Sequence, residues 1–131
     1  MIRPARLDDL DLIVPLAARH RAEYEAYQPH FWRVARSAET LHREFLAGLI
    51  DDDEWGSFVS EPFGGYVFCR LVPAPPVYDP GGPSCFVDDF AVTSAQLWPS
   101  DGRALLAAFG LSIASTWSVG SLPQVPEPGQ G

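Results

Sequence analysis

Apolar residues recur every three to four positions in the first part of the chain and every two positions through its middle, so the pattern predicts helices followed by strands. Ile2 to Ala5 reads as a short opening strand, and Asp8 and Asp9 supply N-cap oxygens for the helix behind them. In that helix Leu10, Ile13, Ala17 and Tyr24 share a face, Pro15 marks a kink, and the period ends near Tyr27. Gln28 to Trp32 interrupts it, after which Ser37 caps a second helix whose Leu41, Phe45 and Leu49 again share a face. Asp51, Asp52 and Asp53 would oppose the negative end of that helix dipole, which places them in a solvated turn.

From Trp55 the period shortens. Trp55 to Ser60 and Tyr66 to Val72 are rich in aromatic and branched residues, and Glu61 to Gly65 joins them as an antiparallel hairpin. Residues 73–83 hold five prolines and two glycines, too stiff and donor-poor for a strand interior, so they form an exposed loop. Ser84 to Val92 alternates, with Phe86, Asp88, Phe90 and Val92 on one face and Cys85, Val87, Asp89 and Ala91 on the other. A third helix starts near Ser100 or Asp101 and runs to about Phe109, where Gly110 suits a left-handed cap. Leu111 to Val119 alternates as a last strand would, and the Pro- and Gly-rich residues 121–131 read as a frayed tail. The expectation is one mixed α+β domain over residues 1–120, with a central, mostly antiparallel sheet flanked by helices, and a flexible tail over 121–131.

Composition narrows the function. At 47% hydrophobic and 20% charged residues the chain has globular usage, which excludes collagenous, coiled-coil and wholly disordered classes. A net charge of -8 repels phosphate backbones and anionic membranes, so neither nucleic acid nor a membrane surface is an expected partner. The basic residues are all Arg, which excludes Schiff-base and Walker-type lysine chemistry. Cys69 and Cys85 read as free structural thiols, and the N-terminus has no signal-peptide core, so a reducing cytoplasm is expected. Ala104 to Pro126 lacks charge for 23 residues, yet its glycines, serines and threonine argue for a helix followed by a strand rather than a membrane span.

Nucleophile motifs are missing: there is no Gly-x-Ser-x-Gly elbow. His20, His30 and His42 are spaced by ten and twelve, which fits no zinc pattern, and no metal site is expected. They read as partly exposed helix and loop residues. The strongest constellation is the strand Phe86 to Val92 followed by Leu97-Trp98-Pro99-Ser100-Asp101-Gly102-Arg103-Ala104. Free amides at the start of a helix suit a phosphate or pyrophosphate, Gly102 would let the backbone approach it, and Arg103 would add a charge-assisted contact. A capped amphipathic helix with no ligand explains the same residues.

At these residues the chain resembles the GNAT superfamily of acyl-CoA-dependent N-acetyltransferases. The order of strand, two helices, hairpin, a central strand reading Val87-Asp88-Asp89-Phe90-Ala91-Val92 and a helix opening Gly102-Arg103-Ala104-Leu105-Leu106 carries the likeness, from Ile2 to about Ala108. The resemblance implies an acetyl group passed from acetyl-CoA to a small-molecule or peptide amine. Phe90 and Val92 would contact pantetheine, and Ser100, Asp101, Gly102, Arg103 and Ala104 would line the pyrophosphate loop. Only Gly102 fits the family's Q/R-x-x-G-x-G/A loop well, since Leu97 stands at its first position and Ser100 at its first Gly. Gly110 to Trp117 looks like the C-terminal segment of such enzymes joined directly to the third helix, so the expected fold is truncated, without a fifth strand and fourth helix. Acyl transfer needs a base for the amine proton. Asp88 and Asp89 are the candidates, of which at most one can face the cleft, and Tyr66 is a further candidate for proton handling. Two functions stay open: an active acetyltransferase, or a degenerate, non-catalytic module that binds CoA or pairs with a partner, such as a second copy, through an exposed sheet edge.

Overall fold

The structure is a computed structural model that describes residues 1–79 and 81–108. The expected close of the third helix at Phe109 and Gly110, the last strand and the tail lie outside the described residues.

The chain opens with β1 (Ile2–Pro4), a 3-10 turn (Leu7–Asp9) and α1 (Leu10–Tyr27), followed by α2 (Ala38–Ile50). Three longer strands follow, β2 (Trp55–Ser60), β3 (Gly65–Val72) and β4 (Ser84–Val92), and the described chain ends in α3 (Arg103–Ala108). The four strands pair antiparallel in sequence order. Ile2 lies opposite Ser60, Val59 opposite Tyr66, and Tyr66 opposite Ala91.

Alternation along β2 and β3 sends side chains to both faces of the sheet, and helices cover both. On one face Ile13, Val14 and Ala17 of α1 and Leu46 and Leu49 of α2 pack with Val59, Tyr66, Phe68 and Ala91. On the other, Leu105 and Leu106 of α3 pack with Val67, Cys69, Phe90 and Cys85. Among the described residues no helix is long and apolar enough to cross a membrane.

Several local expectations change. In α1, Leu10, Ile13 and Ala17 are buried, but Tyr24 is half exposed, because α1 extends past the sheet it covers. In α2 the buried stripe is Leu46 and Leu49, whereas Leu41 and Phe45 are exposed; the apolar spacing at 41, 45 and 49 selects a face one residue away from the one that meets the sheet. Ser37 does not cap α2 through its side chain; it sits in the left-handed region at φ 62°. Asp9 does not cap α1 through its side chain either. Its carboxylate turns back to accept from the Arg6 amide at 2.7 Å and from both Arg3 Nη atoms at 2.8 Å, tying β1 to the first helical turn.

The largest difference lies in β4. Phe68 pairs with Asp89 and Cys69 with Val87, so Asp88 has no counterpart and forms a bulge. The extra residue reverses the alternation. Cys85 and Val87 therefore join Phe90 and Val92 on the α3 face, and Phe86 joins Asp89 and Ala91 on the α1/α2 face, in place of the uninterrupted two-residue period expected for Ser84 to Val92.

Candidate functional site

The bulge sets the site. Asp88 becomes an exposed residue, and its carboxyl is pushed above the usual range by packing and by the neighbouring Asp89 charge. Asp89 turns toward α1 and α2. Its Oδ1 accepts a hydrogen bond from the Tyr66 hydroxyl at 2.8 Å. Its Oδ2 lies 3.0 Å from Nε2 of His42, in the first half of α2. Behind the imidazole, Arg21 of α1 places Nη1 2.9 Å from His42 Nδ1.

The chemistry of these groups fixes the proton positions. A guanidinium only donates, so His42 Nδ1 accepts from Arg21 and the ring proton sits on Nε2, where it is donated to Asp89. The network therefore runs from Arg21 through His42 to Asp89, with Tyr66 donating from the other side. Burial, then the Asp89 charge and the bond to it, push the Tyr66 phenol far above its ordinary value. Tyr66 is thus a fixed donor that holds Asp89 in place, not a group that gives up its proton near neutral pH. Each Asp89 oxygen keeps a lone pair that neither Tyr66 nor His42 uses, and the side chain is 24% exposed, so it can accept a further proton donor.

Of the three residues expected to handle protons, the fold brings Tyr66 and Asp89 into contact and leaves Asp88 exposed at the bulge, within electrostatic reach of Asp89 and His42. His42 and Arg21 were not expected from the sequence. Their signal is positional: His42 lies one turn before buried Leu46, and Arg21 one turn after buried Ala17, so each puts a polar group on a core-facing stripe. His42, expected as a partly exposed helix residue without a role, is instead engaged on both ring nitrogens.

Next to this network a cavity of about 470 Å³ opens between the ends of α1 and α2 and their connection. Tyr24, Phe31, Trp32, Val34 and Leu41 form its apolar walls, and its polar lining is Arg21, Arg33 and His42. Phe31 meets Trp32 edge-on at 4.8 Å, and Tyr24 lies tilted 5.5 Å from the same indole. The Val34 amide donates to a Glu25 carboxylate oxygen, which anchors the connection to α1.

The turn before α3 is more mixed. Trp98–Gly102 forms one π-helical turn that leads directly into α3. Gly102 is buried, and a Cβ there would lie 2.8 Å from the Trp98 ring, so glycine is required by the indole rather than by an approaching ligand. Trp98 packs edge-on against Phe90 at 5.0 Å, as expected of an aromatic at this place. The Arg103 amide is bonded to Trp98 and Ser100 carbonyls inside the turn. Ser100 and the Arg103 side chain are exposed, Ala104 is half-buried, and Asp101 points over Gly64, where a Cβ would collide with its Oδ2. Asp101 lines the adjoining cavity together with the Met1 N-terminus and Glu61, whose carboxylate is paired with Arg3 at 2.8 Å. Phe90 and Val92 send their side chains toward α3, so only their backbone can meet an extended ligand, along an edge of β4 that no described strand pairs. The β4 backbone edge and the exposed Ser100 and Arg103 side chains are thus free to meet a ligand, whereas Asp101 presents a carboxylate and Gly102 is covered by the Trp98 ring.

Among the described residues no group of three His, Cys, Asp or Glu side chains could hold a metal ion. Cys69 is buried, its thiol is pushed up to about 12 by burial, and it donates weakly to the Gly56 carbonyl at 3.7 Å.

A mixed α+β protein whose described residues form a four-stranded antiparallel sheet covered by helices on both faces is the class this architecture defines. Two solved structures share it. A mutant of the BH1408 protein from Bacillus halodurans is 16% identical over 98% of this chain and 96% of its own, with a TM-score of 0.70. The tetramutant of BH1408 is 15% identical over 98% of this chain and 97% of its own, with a TM-score of 0.67. At these identities the likeness is one of fold. No protein-family model matches the chain, and no curated protein does.

Proposed function

We propose that the protein is an acyl-CoA-dependent N-acetyltransferase in which Asp89 receives the proton of the acceptor amine. The observation that carries the reading is the Asp89 carboxylate beside the β4 bulge, held on both oxygens by Tyr66 and His42 and still 24% exposed, with His42 in turn lining a ligand-sized cavity. The order of elements, with two helices between β1 and β2 and a helix after β4, also agrees with what the resemblance implies. Acetyl-CoA would supply the acetyl group as a thioester and leave as the free thiol.

The chain's own part is positioning and proton transfer. An amine nitrogen beside the exposed part of Asp89 forms the new C–N bond as the C–S bond breaks, and it must lose one proton. Asp89 takes it, and the net proton ends on the departing sulfur. Tyr66 and His42 keep the carboxylate in one rotamer, which lowers the reorganisation cost of that step.

A second reading has its own observation. Asp101 puts a carboxylate in the cavity beside the α3 turn, and Trp98 fills the space over Gly102, which favours a non-catalytic module that binds CoA weakly or binds a partner instead. Thiol release from acetyl-CoA across an amine panel, with calorimetric titration of CoA, separates the two. Turnover that falls about 10²–10⁴-fold in Asp89→Asn is expected of the enzyme. CoA binding with no turnover supports the module, and turnover unchanged in Asp89→Asn refutes the role given to Asp89.

A further inference from the structure

We infer that the cavity between α1 and α2 binds a small aromatic carboxylate, its ring among the apolar walls and its charged end on Arg33. The clue is the sign of the charge in the lining. The chain carries a net charge of -8, yet the charged residues that line this cavity are Arg21 and Arg33, with no acid. Glu25 of α1 accepts from the Val34 amide and lines two neighbouring hollows instead. The cavity is thus a local reversal of the protein's overall field, which favours an anion and opposes a cation.

The two arginines differ in what they can offer. Arg21 donates from Nη1 to His42, and its Nε and Nη2 are buried, so it supplies charge without a direct contact. Arg33 is exposed, and among the described residues its side chain has no hydrogen-bond or ion-pair partner. Its guanidinium is therefore free to take both oxygens of a carboxylate in its fork. The walls select the rest of the ligand. Tyr24, Phe31, Trp32 and Leu41 are each about half exposed or more, a cluster of apolar surface that a ligand would remove from water. Phe31 meets Trp32 edge-on and Tyr24 is tilted against it, so the rings are not stacked face to face on one another and a planar group can use their faces. At about 470 Å³ the cavity is in the size range of small-molecule sites.

This assignment does not rest on the acetyl-transfer reading, and a carboxylate that carries no amine tests it separately. The test is calorimetric titration of the full chain with 3-phenylpropionate, 3-phenylpropanol, 3-phenylpropylamine and propionate, which vary the charge on one ring and then remove the ring. 3-Phenylpropionate is expected to bind at least about tenfold more tightly than any of the others. Arg33→Gln, at an exposed position outside the core, is expected to remove most of the advantage over 3-phenylpropanol while leaving the alcohol's own affinity unchanged. Trp32→Ala is expected to weaken the acid and the alcohol alike. Equal affinity of the wild-type chain for the acid and the alcohol, tighter binding of the amine, or no binding of the acid would overturn the inference with no variant needed. Binding of the acid that is unchanged in Arg33→Gln would overturn the role given to Arg33 and with it the site.

Discussion

Replacing Tyr66 by phenylalanine removes a single oxygen from the centre of the site and leaves the packing around it in place. The residue is 1% exposed, and its ring meets Phe68 edge-on at 5.9 Å, a contact that phenylalanine keeps. What is lost is the 2.8 Å bond to Asp89 Oδ1. Hydrogen bonds to charged acceptors contribute about 1.5–3 kcal/mol. Asp89 retains His42 at 3.0 Å and some solvent, so the acceptor is not orphaned and the lower end applies. The expected loss is about 1.5 kcal/mol, or on the order of 5 °C in Tm for a chain of this length. Calorimetry of Tyr66→Phe, Asp89→Ala and the double variant reads this directly, with a coupling of about 1 kcal/mol expected between the two positions. Strict additivity, or an unchanged Tm in Tyr66→Phe, would mean that the hydroxyl does not hold Asp89. Turnover should fall far less in Tyr66→Phe than in Asp89→Asn, since the phenol positions the carboxylate and the carboxylate takes the proton.

Three further outcomes follow from the packing and the charges. Gly65→Ala should cost about 3 kcal/mol in denaturant unfolding, because a Cβ there would lie 2.5 Å from the Ala91 carbonyl oxygen across the β3–β4 pair; a loss below about 0.5 kcal/mol would contradict the register. Arg3 holds the Asp9 carboxyl below its ordinary range, so the pair's stabilisation is complete above the unfolded carboxylate value and disappears as pH falls through the lower folded one. The Tm gap between wild type and Asp9→Asn should therefore be widest near pH 5 and close toward pH 2, and a gap constant across that interval would disprove the linkage. Cys69, buried and with its thiol pushed up to about 12, should resist alkylation at about pH 8 in the native state and react once unfolded; rapid native labelling would show an open α3 face.

Which parts of this protein were legible in the sequence depends on the range of the interaction concerned. Strands β2, β3 and β4 and both long helices are local patterns of apolar spacing, bounded by the prolines and glycines of residues 61–65 and 73–83, and they stand where that spacing puts them. The mixed α+β class follows from the same blocks. Tyr66 and Asp89 were legible as chemistry, being polar groups on strands, but nothing in their spacing of 23 residues says that they touch.

Tertiary structure decided the rest. Which face Cys85, Phe86 and Val87 take relative to Asp89 depends on a one-residue bulge at Asp88, which appears only when β4 is matched against β3, and a shift of one residue exchanges the two faces of a strand. His42 and Arg21 gain their roles because α1 and α2 pack on the same face of the sheet, a contact that no local pattern encodes. The sequence alone determined which residues could carry charge, protons and aromatic surface. Packing decided which of them meet, because a site is assembled by contacts between segments far apart in the chain, while sequence periodicity reports only on near neighbours.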